Sequence, residues 1–211
     1  MAQYFHVHPK NPQPRLIRQA AGIIAGGGVV AYPTDSSYAL ACGISNKEGM
    51  ERIRRIRTLD QSHPFTLVCL DLSELATYAR VDNTIFRFLK AHTPGPYTFV
   101  LPATREVPRR LADPKRRTIG LRVPSNVVAR ALLQELHAPL MSVTLSLPDG
   151  EDGLGDPEVI RDRLEHTIDA VIDGGVCAGA PTTVVEWEEG GFVVRRTGAG
   201  SVEPFAPLSA G

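Results

Sequence analysis

Short apolar segments alternate with helical segments along this chain, and this alternation constrains the fold more than any other feature. Apolar residues recur at helical spacing over residues 16–24, and an apolar run at residues 29–32 follows soon after. Three glycines at 26–28 lie between the two and predict a helix end before a strand. Asn46 predicts the start of a second helix, and residues 65–69 predict another short, buried strand. The N-terminal part therefore predicts strands that are connected through helices.

The C-terminal part continues the alternation and adds a hairpin. Apolar segments at 97–101, 118–123 and 140–145 predict strands, and Ser125 is expected to cap a helix between the last two. Residues 182–196 predict two strands joined by a glycine-containing turn. Because hairpins and helical crossovers occur together, we expect one α/β domain with a twisted, mixed β-sheet flanked by helices.

The length and the absence of long apolar runs limit the domain organisation. A chain of 211 residues fits one domain with a sizeable core. We expect a single domain over residues 1–211, with a core at about 12–207 and tails at 1–11 and 208–211. No apolar run reaches the roughly 20 residues that a membrane span needs, and the polar N-terminus does not resemble a signal peptide. We therefore expect a cytoplasmic protein with no membrane partner.

Several common chemistries have no counterpart in the sequence. Cys42, Cys69 and Cys177 lie far apart, which favours buried, reduced thiols over a zinc site. The chain has neither the glycine-rich phosphate loop that ends in Gly-Lys-Ser/Thr nor the Gly-x-Ser-x-Gly motif of serine hydrolases. No resident metal and no tightly bound cofactor are expected, and any Mg²⁺ would arrive with the phosphates of a nucleotide.

The formal net charge is zero, but the charges are distributed unevenly. Basic residues are concentrated in one segment: Arg105, Arg109, Arg110, Lys115, Arg116, Arg117 and Arg122. Acidic residues dominate residues 149–189 instead. A one-sided positive surface favours binding of a polyanion such as RNA, because neutralised phosphates release counterions. The alternative explanation for the many arginines is the base composition of the genome, which would favour arginine codons without any role in binding.

Polar side chains follow the predicted strand at 29–32, and an arginine-rich segment comes about twenty residues later. Thr34, Asp35 and Ser36 offer hydroxyl and carboxylate groups directly after the strand. The arginines are Arg52, Arg54, Arg55 and Arg57. Guanidinium groups match phosphate and carboxylate oxygens, so this arrangement is typical of a pocket for an acidic small molecule or a nucleotide. A solvated arginine face on a surface helix is the alternative interpretation.

Seven motifs, taken together, resemble the YrdC family. In chain order they are YPTDS (32–36), RIR (55–57), TPGPYTFV (93–100), TIGLRV (118–123), SVTLS (142–146), PTTVV (181–185) and RTG (196–198). Each motif alone has little specificity, but the complete series in family order spans nearly the whole chain. The segments YFHVHP (4–9) and RRTIGLRVPSN (116–126) resemble the YciO branch of this family.

The resemblance implies a YrdC-like fold around a basic concave cavity and an activity of the L-threonylcarbamoyladenylate synthase type. Such a nucleotidyltransferase joins ATP, threonine and bicarbonate to give threonylcarbamoyl-AMP and pyrophosphate, and its product is used in threonylcarbamoyladenosine modification of tRNA. The family also implies double-stranded RNA binding. Carried over by motif, the catalytic residues are Arg55 and Arg57. The substrate-binding residues are Thr34, Tyr38, His63, Thr118 and Arg122, and the nucleotide-binding residues are Ser142, Thr144, Ser146, Thr182 and Arg196.

A second hypothesis follows from two departures from the synthase motifs. Synthases have Lys-x-Arg where this chain has arginine at both 55 and 57, and Ser-x-Asn where it has Thr144 and Ser146. Lysine and arginine hold phosphate differently, and serine cannot replace the donor and acceptor of an asparagine amide. The alternative is therefore a non-catalytic protein that binds double-stranded RNA or the ribosome through the same groove.

Overall fold

Helices and strands alternate along the chain as the periodicity predicts. The computed structural model describes residues 1–61, 63–113, 115–147, 154–177, 180–188 and 190–205. The helices are α1 (Pro14–Ala25), α2 (Lys47–Arg57), α3 (Leu72–Tyr78), α4 (Asn83–His92), α5 (Val127–Leu136) and α6 (Pro157–Leu164). The strands are β1 (Gln3–His6), β2 (Val30–Pro33), β3 (Tyr38–Gly43), β4 (Thr66–Val68), β5 (Tyr97–Pro102), β6 (Thr118–Arg122), β7 (Leu140–Thr144), β8 (Ala170–Asp173), β9 (Thr183–Glu188) and β10 (Gly191–Arg196).

The strands form one mixed sheet in the order β1-β8-β2-β3-β7-β4-β6-β5-β9-β10. Strands pair in parallel at β1/β8, β2/β8, β4/β6 and β5/β9, and the other neighbours are antiparallel. The predicted mixed α/β sheet is confirmed. Strand β1 lies within residues 1–11, the segment expected to be a tail, and the expected tail at 208–211 lies outside the described residues.

Side-chain caps fix where the helices begin. The Asn46 carboxamide oxygen accepts a hydrogen bond from the backbone N–H of Gly49 at 2.8 Å, as the sequence predicts. The cap of α5 is Asn126, which accepts from the N–H of Ala129 at 3.0 Å, so the prediction of Ser125 is wrong. The Ser125 hydroxyl is instead bonded to a carboxylate near the site described below.

Helices cover the two faces of the sheet unequally. On one face, α1 and α5 pack over the half of the sheet around β8, β2 and β3, with Ile17 and Leu132 among the buried contacts. On the opposite face, α2, α3, α4 and α6 pack on a larger core that contains Phe99 and Leu121. In the described part of the chain, no helix packs on the rest of the first face, which is formed by β6, β5 and β9 and the adjacent ends of β7 and β4. A concave surface remains there.

Candidate active site

A cavity of about 590 Å³ lies on this open half of the sheet. Residues in register across five strands form its floor: Ser142, Thr66, Gly120, Val100 and Glu186. Because side chains alternate between faces along a strand, residues in register present their side chains to the same side. One continuous row therefore connects a hydroxyl group on β7 with a carboxylate on β9.

The middle of the floor is open because Gly120 has no side chain. A Cβ atom at this position would lie 3.3 Å from Oγ1 of Thr66 and 3.4 Å from Cγ2 of Thr98, both tighter than an ordinary contact. These neighbours line the same cavity. Glycine at position 120 thus keeps the centre of the cavity free for a ligand.

The cavity brings together eight of the twelve residues that the motifs single out. They are Thr34, His63, Thr118, Arg122, Ser142, Thr144, Thr182 and Arg196. These residues come from β6, β7 and β10 and from loops that precede or follow strands. Positions more than 150 residues apart in the chain thus meet in one concave site.

The other four residues lie elsewhere. Arg57 donates a hydrogen bond to the carbonyl oxygen of Ser146, and both residues lie outside the cavity lining. The buried hydroxyl of Tyr38 donates to the carbonyl oxygen of Gly175 at 2.9 Å and accepts from the backbone N–H of the preceding glycine, so it supports a loop. Arg55 lines a second cavity, of about 930 Å³, on another side of α2.

Hydrogen bonds fix the hydroxyl groups at the β3 and β7 end of the cavity. Thr34 Oγ1 donates to the carbonyl oxygen of Ser37 at 2.7 Å. Ser142 Oγ accepts from the hydroxyl of Tyr32 at 2.9 Å and lies 3.2 Å from the carbonyl oxygen of Leu40, to which it donates. Both side chains are buried. A ligand therefore meets oxygen atoms whose orientation is set before it binds.

Arg122 is the most deeply buried cation of the cavity lining. Its guanidinium donates to the Asp35 carboxylate at 2.8 Å, and the two side chains are 8% and 6% exposed. Asp35 also accepts from the hydroxyl of Ser125 at 2.7 Å. The Nε–H group of Arg122 is buried and has no hydrogen-bond partner among the described residues. An anionic ligand would supply the missing acceptor.

The opposite end of the cavity combines hydroxyl groups with a further arginine. Thr98 and Thr182 share a hydrogen bond between their hydroxyls at 2.9 Å. Arg196 Nη2 donates to the carbonyl oxygen of Thr182 at 3.0 Å. This end is therefore held by contacts between β5, β10 and the loop that precedes β9.

Sequence reasoning missed a charged cluster at this end. The buried Glu186 carboxylate, 5% exposed, accepts from Arg116 Nη1 at 2.7 Å and from Arg195 Nε at 2.6 Å. Asp113 completes the charged lining, which holds four arginines against two carboxylates. Arg116 belongs to the basic segment, but Glu186 reaches it only through the pairing of β9 with β5. Glu186 alternates with the core-facing Val185 and Trp187, so in the sequence it resembles an ordinary surface carboxylate and gives no signal of this contact.

His63 lines the cavity close to two arginines. Burial lowers the pKa of its imidazole, and the charges of Arg57 and Arg54 lower that pKa further, against a smaller opposing effect of Asp60. The side chain is half-buried. At neutral pH the imidazole is therefore uncharged and can either donate or accept a hydrogen bond.

The described residues provide no obvious metal centre. No three His, Cys, Asp or Glu side chains among them lie close enough to hold a metal ion. Nor does the described part of the chain contain a helix long and apolar enough to cross a membrane. The polar groups that line the cavity are hydroxyl groups, guanidinium groups, two carboxylates and one imidazole.

Comparison with known proteins identifies the family. The family model described as "Telomere recombination", for Sua5, YciO and YrdC proteins, matches residues 22–198. The chain belongs to the Sua5/YciO/YrdC family. The resemblance drawn from the seven motifs is thereby confirmed.

Relatives within the Sua5/YciO/YrdC family differ in how closely they match. "Uncharacterized protein YciO" of Escherichia coli is 55% identical over 97% of this chain and 100% of its own length, and its crystal structure matches with a TM-score of 0.93. A threonylcarbamoyl-AMP synthase of Halorhodospira halophila is 28% identical over 89% of this chain and 98% of its own. P. abyssi Sua5, crystallised with L-threonine, matches 92% of this chain and 57% of its own, with 25% identity and a TM-score of 0.84.

Proposed function

We propose that this protein is a cytoplasmic synthase of the threonylcarbamoyl-AMP type, which joins ATP, threonine and bicarbonate and releases pyrophosphate. The observation that carries the proposal is the convergence of eight motif residues on one cavity of about 590 Å³. Membership in a family that includes a threonylcarbamoyl-AMP synthase and a threonine-bound Sua5 supports the choice of substrates.

The reaction needs no covalent nucleophile on the protein. Threonine and bicarbonate condense to a carbamate with release of water. A carbamate oxygen then attacks the α-phosphorus of ATP, a new P–O bond forms, and the bond from that phosphorus to pyrophosphate breaks. The protein contributes by positioning the reactants and by stabilising negative charge on the transferring oxygens. Fixed hydroxyl groups and guanidinium donors can do both.

The residues divide between the amino acid and the nucleotide. Thr34 contacts the amino acid, and Arg57 acts on carboxylate or phosphate charge at the same end. Arg122 and Arg196 donate to phosphate oxygens along the cavity. The hydroxyl groups of Ser142, Thr144 and Thr182 complete the nucleotide site, and Ser146 holds Arg57 through its carbonyl oxygen from outside the cavity lining. Mg²⁺ enters as the complex with ATP, and the product serves tRNA modification.

Chromatography of a reaction mixture tests this function. Purified protein is incubated with ATP, Mg²⁺, bicarbonate and threonine beside two variants, Arg57→Ala and Arg87→Ala. Arg87 is an exposed residue of α4, so its variant controls for the general loss of an arginine. We expect threonylcarbamoyl-AMP and pyrophosphate from the wild type and the control but not from Arg57→Ala. Neither product from folded wild-type protein would contradict the proposal.

An exposed basic loop favours a second candidate function, binding of double-stranded RNA or tRNA. Between β5 and β6, Arg105, Arg109, Lys115 and Arg117 are all exposed beside the cavity. Such a surface binds phosphates with an affinity that falls steeply with salt. In a native gel shift we expect alanine at both 115 and 117 to weaken RNA binding and to reduce the salt slope by about 1 to 2. Unchanged affinity and slope would contradict this candidate.

A further inference from the structure

Arg54 is a buried cation with little to neutralise it. Its side chain is 7% exposed, and its Nε–H group has no hydrogen-bond partner among the described residues. The nearest carboxylate is that of Glu51, 3.4 Å from Nη1, and Glu51 is itself 52% exposed. Burying a guanidinium with such incomplete pairing is costly, so the arrangement requires a compensating interaction.

Part of that compensation comes from an aromatic ring of the cavity wall. The guanidinium carbon of Arg54 lies 4.9 Å from the centroid of the Phe65 ring, a cation–π contact. Phe65 and His63 both line the cavity. Arg54 is thus directly behind the wall and close enough to affect the titration of His63.

The position of each arginine around the axis of α2 determines that Arg54, and not Arg55, lies behind the substrate cavity. Arg54 and Arg57 are three residues apart and therefore share one face of the helix. Both contribute to the positive potential at His63. Arg55 is one residue on, about 100° around the helix, and lines the second cavity with Arg52. Two arginines of α2 therefore act on the substrate cavity, and they are not the pair that the motif indicates.

We propose that Arg54 is a positioning residue of this cavity: it supports Phe65 and His63 from behind and supplies positive potential that attracts an oxyanion, the phosphate chain of a nucleotide. This inference rests on the proposed function for the identity of the nucleotide. Arg54 does not touch the ligand. It acts through the wall, whereas the hydroxyl groups and Arg122 contact the ligand directly.

Proton uptake on binding follows from the same arrangement. The charges that act on His63 come from Arg54 and Arg57 of α2 and from Asp60 of its own loop. Arg116 and Asp113, from the basic segment between β5 and β6, line the same cavity. With the cavity empty, the two arginines of α2 disfavour the imidazolium. A bound phosphate reverses that balance and favours protonation. Removing Arg54 should therefore raise the pKa of His63 in the free protein.

Direct binding of inorganic pyrophosphate, measured by calorimetry, tests the proposal apart from turnover. We expect Arg54→Met to weaken binding about tenfold, since the loss of one charge behind the cavity wall has an effect of this order at an effective dielectric constant of about 20. Arg54→Lys keeps the charge and should stay within about threefold of the wild type. NMR titration should show a higher pKa of His63 in Arg54→Met than in Arg54→Lys, because only the lysine keeps the positive charge beside the imidazole.

A variant with tighter pyrophosphate binding provides a second test, because misfolding cannot explain a gain of affinity. Among the described residues, Glu51 provides the carboxylate that contacts Arg54, and Glu51→Gln removes that charge at an exposed position of the helix. We expect it to strengthen pyrophosphate binding about threefold, because the positive potential is no longer partly neutralised. Glu51→Gln tests the role of Arg54 in anion binding even if Arg54→Met fails to fold.

Two results would overturn the proposal. One is equal pyrophosphate affinity in the wild type, Arg54→Met and Glu51→Gln. The other is a larger loss in Arg55→Met than in Arg54→Met. Failure of the synthase assay while pyrophosphate binding still depends on Arg54 would contradict the proposed reaction only. Synthase product with no effect of Arg54 on pyrophosphate binding would contradict this inference only.

Discussion

Removing Asp35 should destabilise the protein strongly because it would leave Arg122 buried without its partner. The two side chains are 6% and 8% exposed, and their oxygen and nitrogen atoms are 2.8 Å apart. Water cannot readily take the place of the carboxylate at this depth. Breaking a buried ion pair from one side costs about 3–5 kcal/mol. The lost hydrogen bonds from Ser125 add little, because that residue is exposed and water replaces them.

Urea unfolding followed by the fluorescence of Trp187, the single tryptophan, measures this cost. Asp35→Ala is compared with Asp162→Ala, which removes the carboxylate of an exposed pair with Arg161. For that control we expect a loss below about 1 kcal/mol.

The double variant Asp35→Ala with Arg122→Met separates the ion pair from other effects of the substitution. It should recover at least about 2 kcal/mol, since the apolar side chain leaves no buried charge. A loss in Asp35→Ala as small as that in Asp162→Ala would refute the argument, as would a double variant no more stable than Asp35→Ala alone.

Three further results follow from the cavity and from the titratable groups. Gly120→Val should weaken ATP binding in calorimetry about tenfold or more because it fills the cavity floor, and unchanged affinity would place the ligand elsewhere. The unfolded chain protonates His63 near pH 6.5, above the lowered pKa of the native state, so native stability falls as pH drops below about 6.5. In urea unfolding, His63→Gln should lose less stability than the wild type between pH 7 and pH 5. An equal loss would show that His63 does not cause this pH dependence. Burial raises the pKa of Cys42 to about 12 and that of Cys69 well above its usual value, so a thiol reagent at pH 8 should modify at most the half-buried Cys177 in native protein. Modification of two or more thiols in native protein would contradict the expected burial of Cys42 and Cys69.

The sequence predicts helix ends and hairpins well because neighbouring residues determine these features. The glycines at 26–28 end α1, and the hairpin of β9 and β10 follows from its alternation and its turn. Asn126 shows the limit of this approach. Ser125 and Asn126 are both good caps, and the choice between them is made by Asp35, which binds the Ser125 hydroxyl from a loop 90 residues away.

The site was predictable to the extent that strand positions determine it. Residues such as Ser142 and Arg122 lie on strands, and the strand register brings them to one face, where both line the cavity. Arg55 lies on a helix, where a shift of one residue turns a side chain about 100° away. Motif position alone does not give that rotation. Glu186 was missed because its partners depend on how β9 joins the sheet.

Transfer of labelled carbon tests the central claim most directly. The protein is supplied with ATP, Mg²⁺, threonine and isotopically labelled bicarbonate, and the nucleotide products are examined by mass spectrometry. The account predicts an adenylate that contains both threonine and the labelled carbon, formed in equal amount with pyrophosphate. Labelled carbon absent from every adenylate, in protein that binds ATP in the cavity, would contradict the claim that this cavity makes threonylcarbamoyl-AMP.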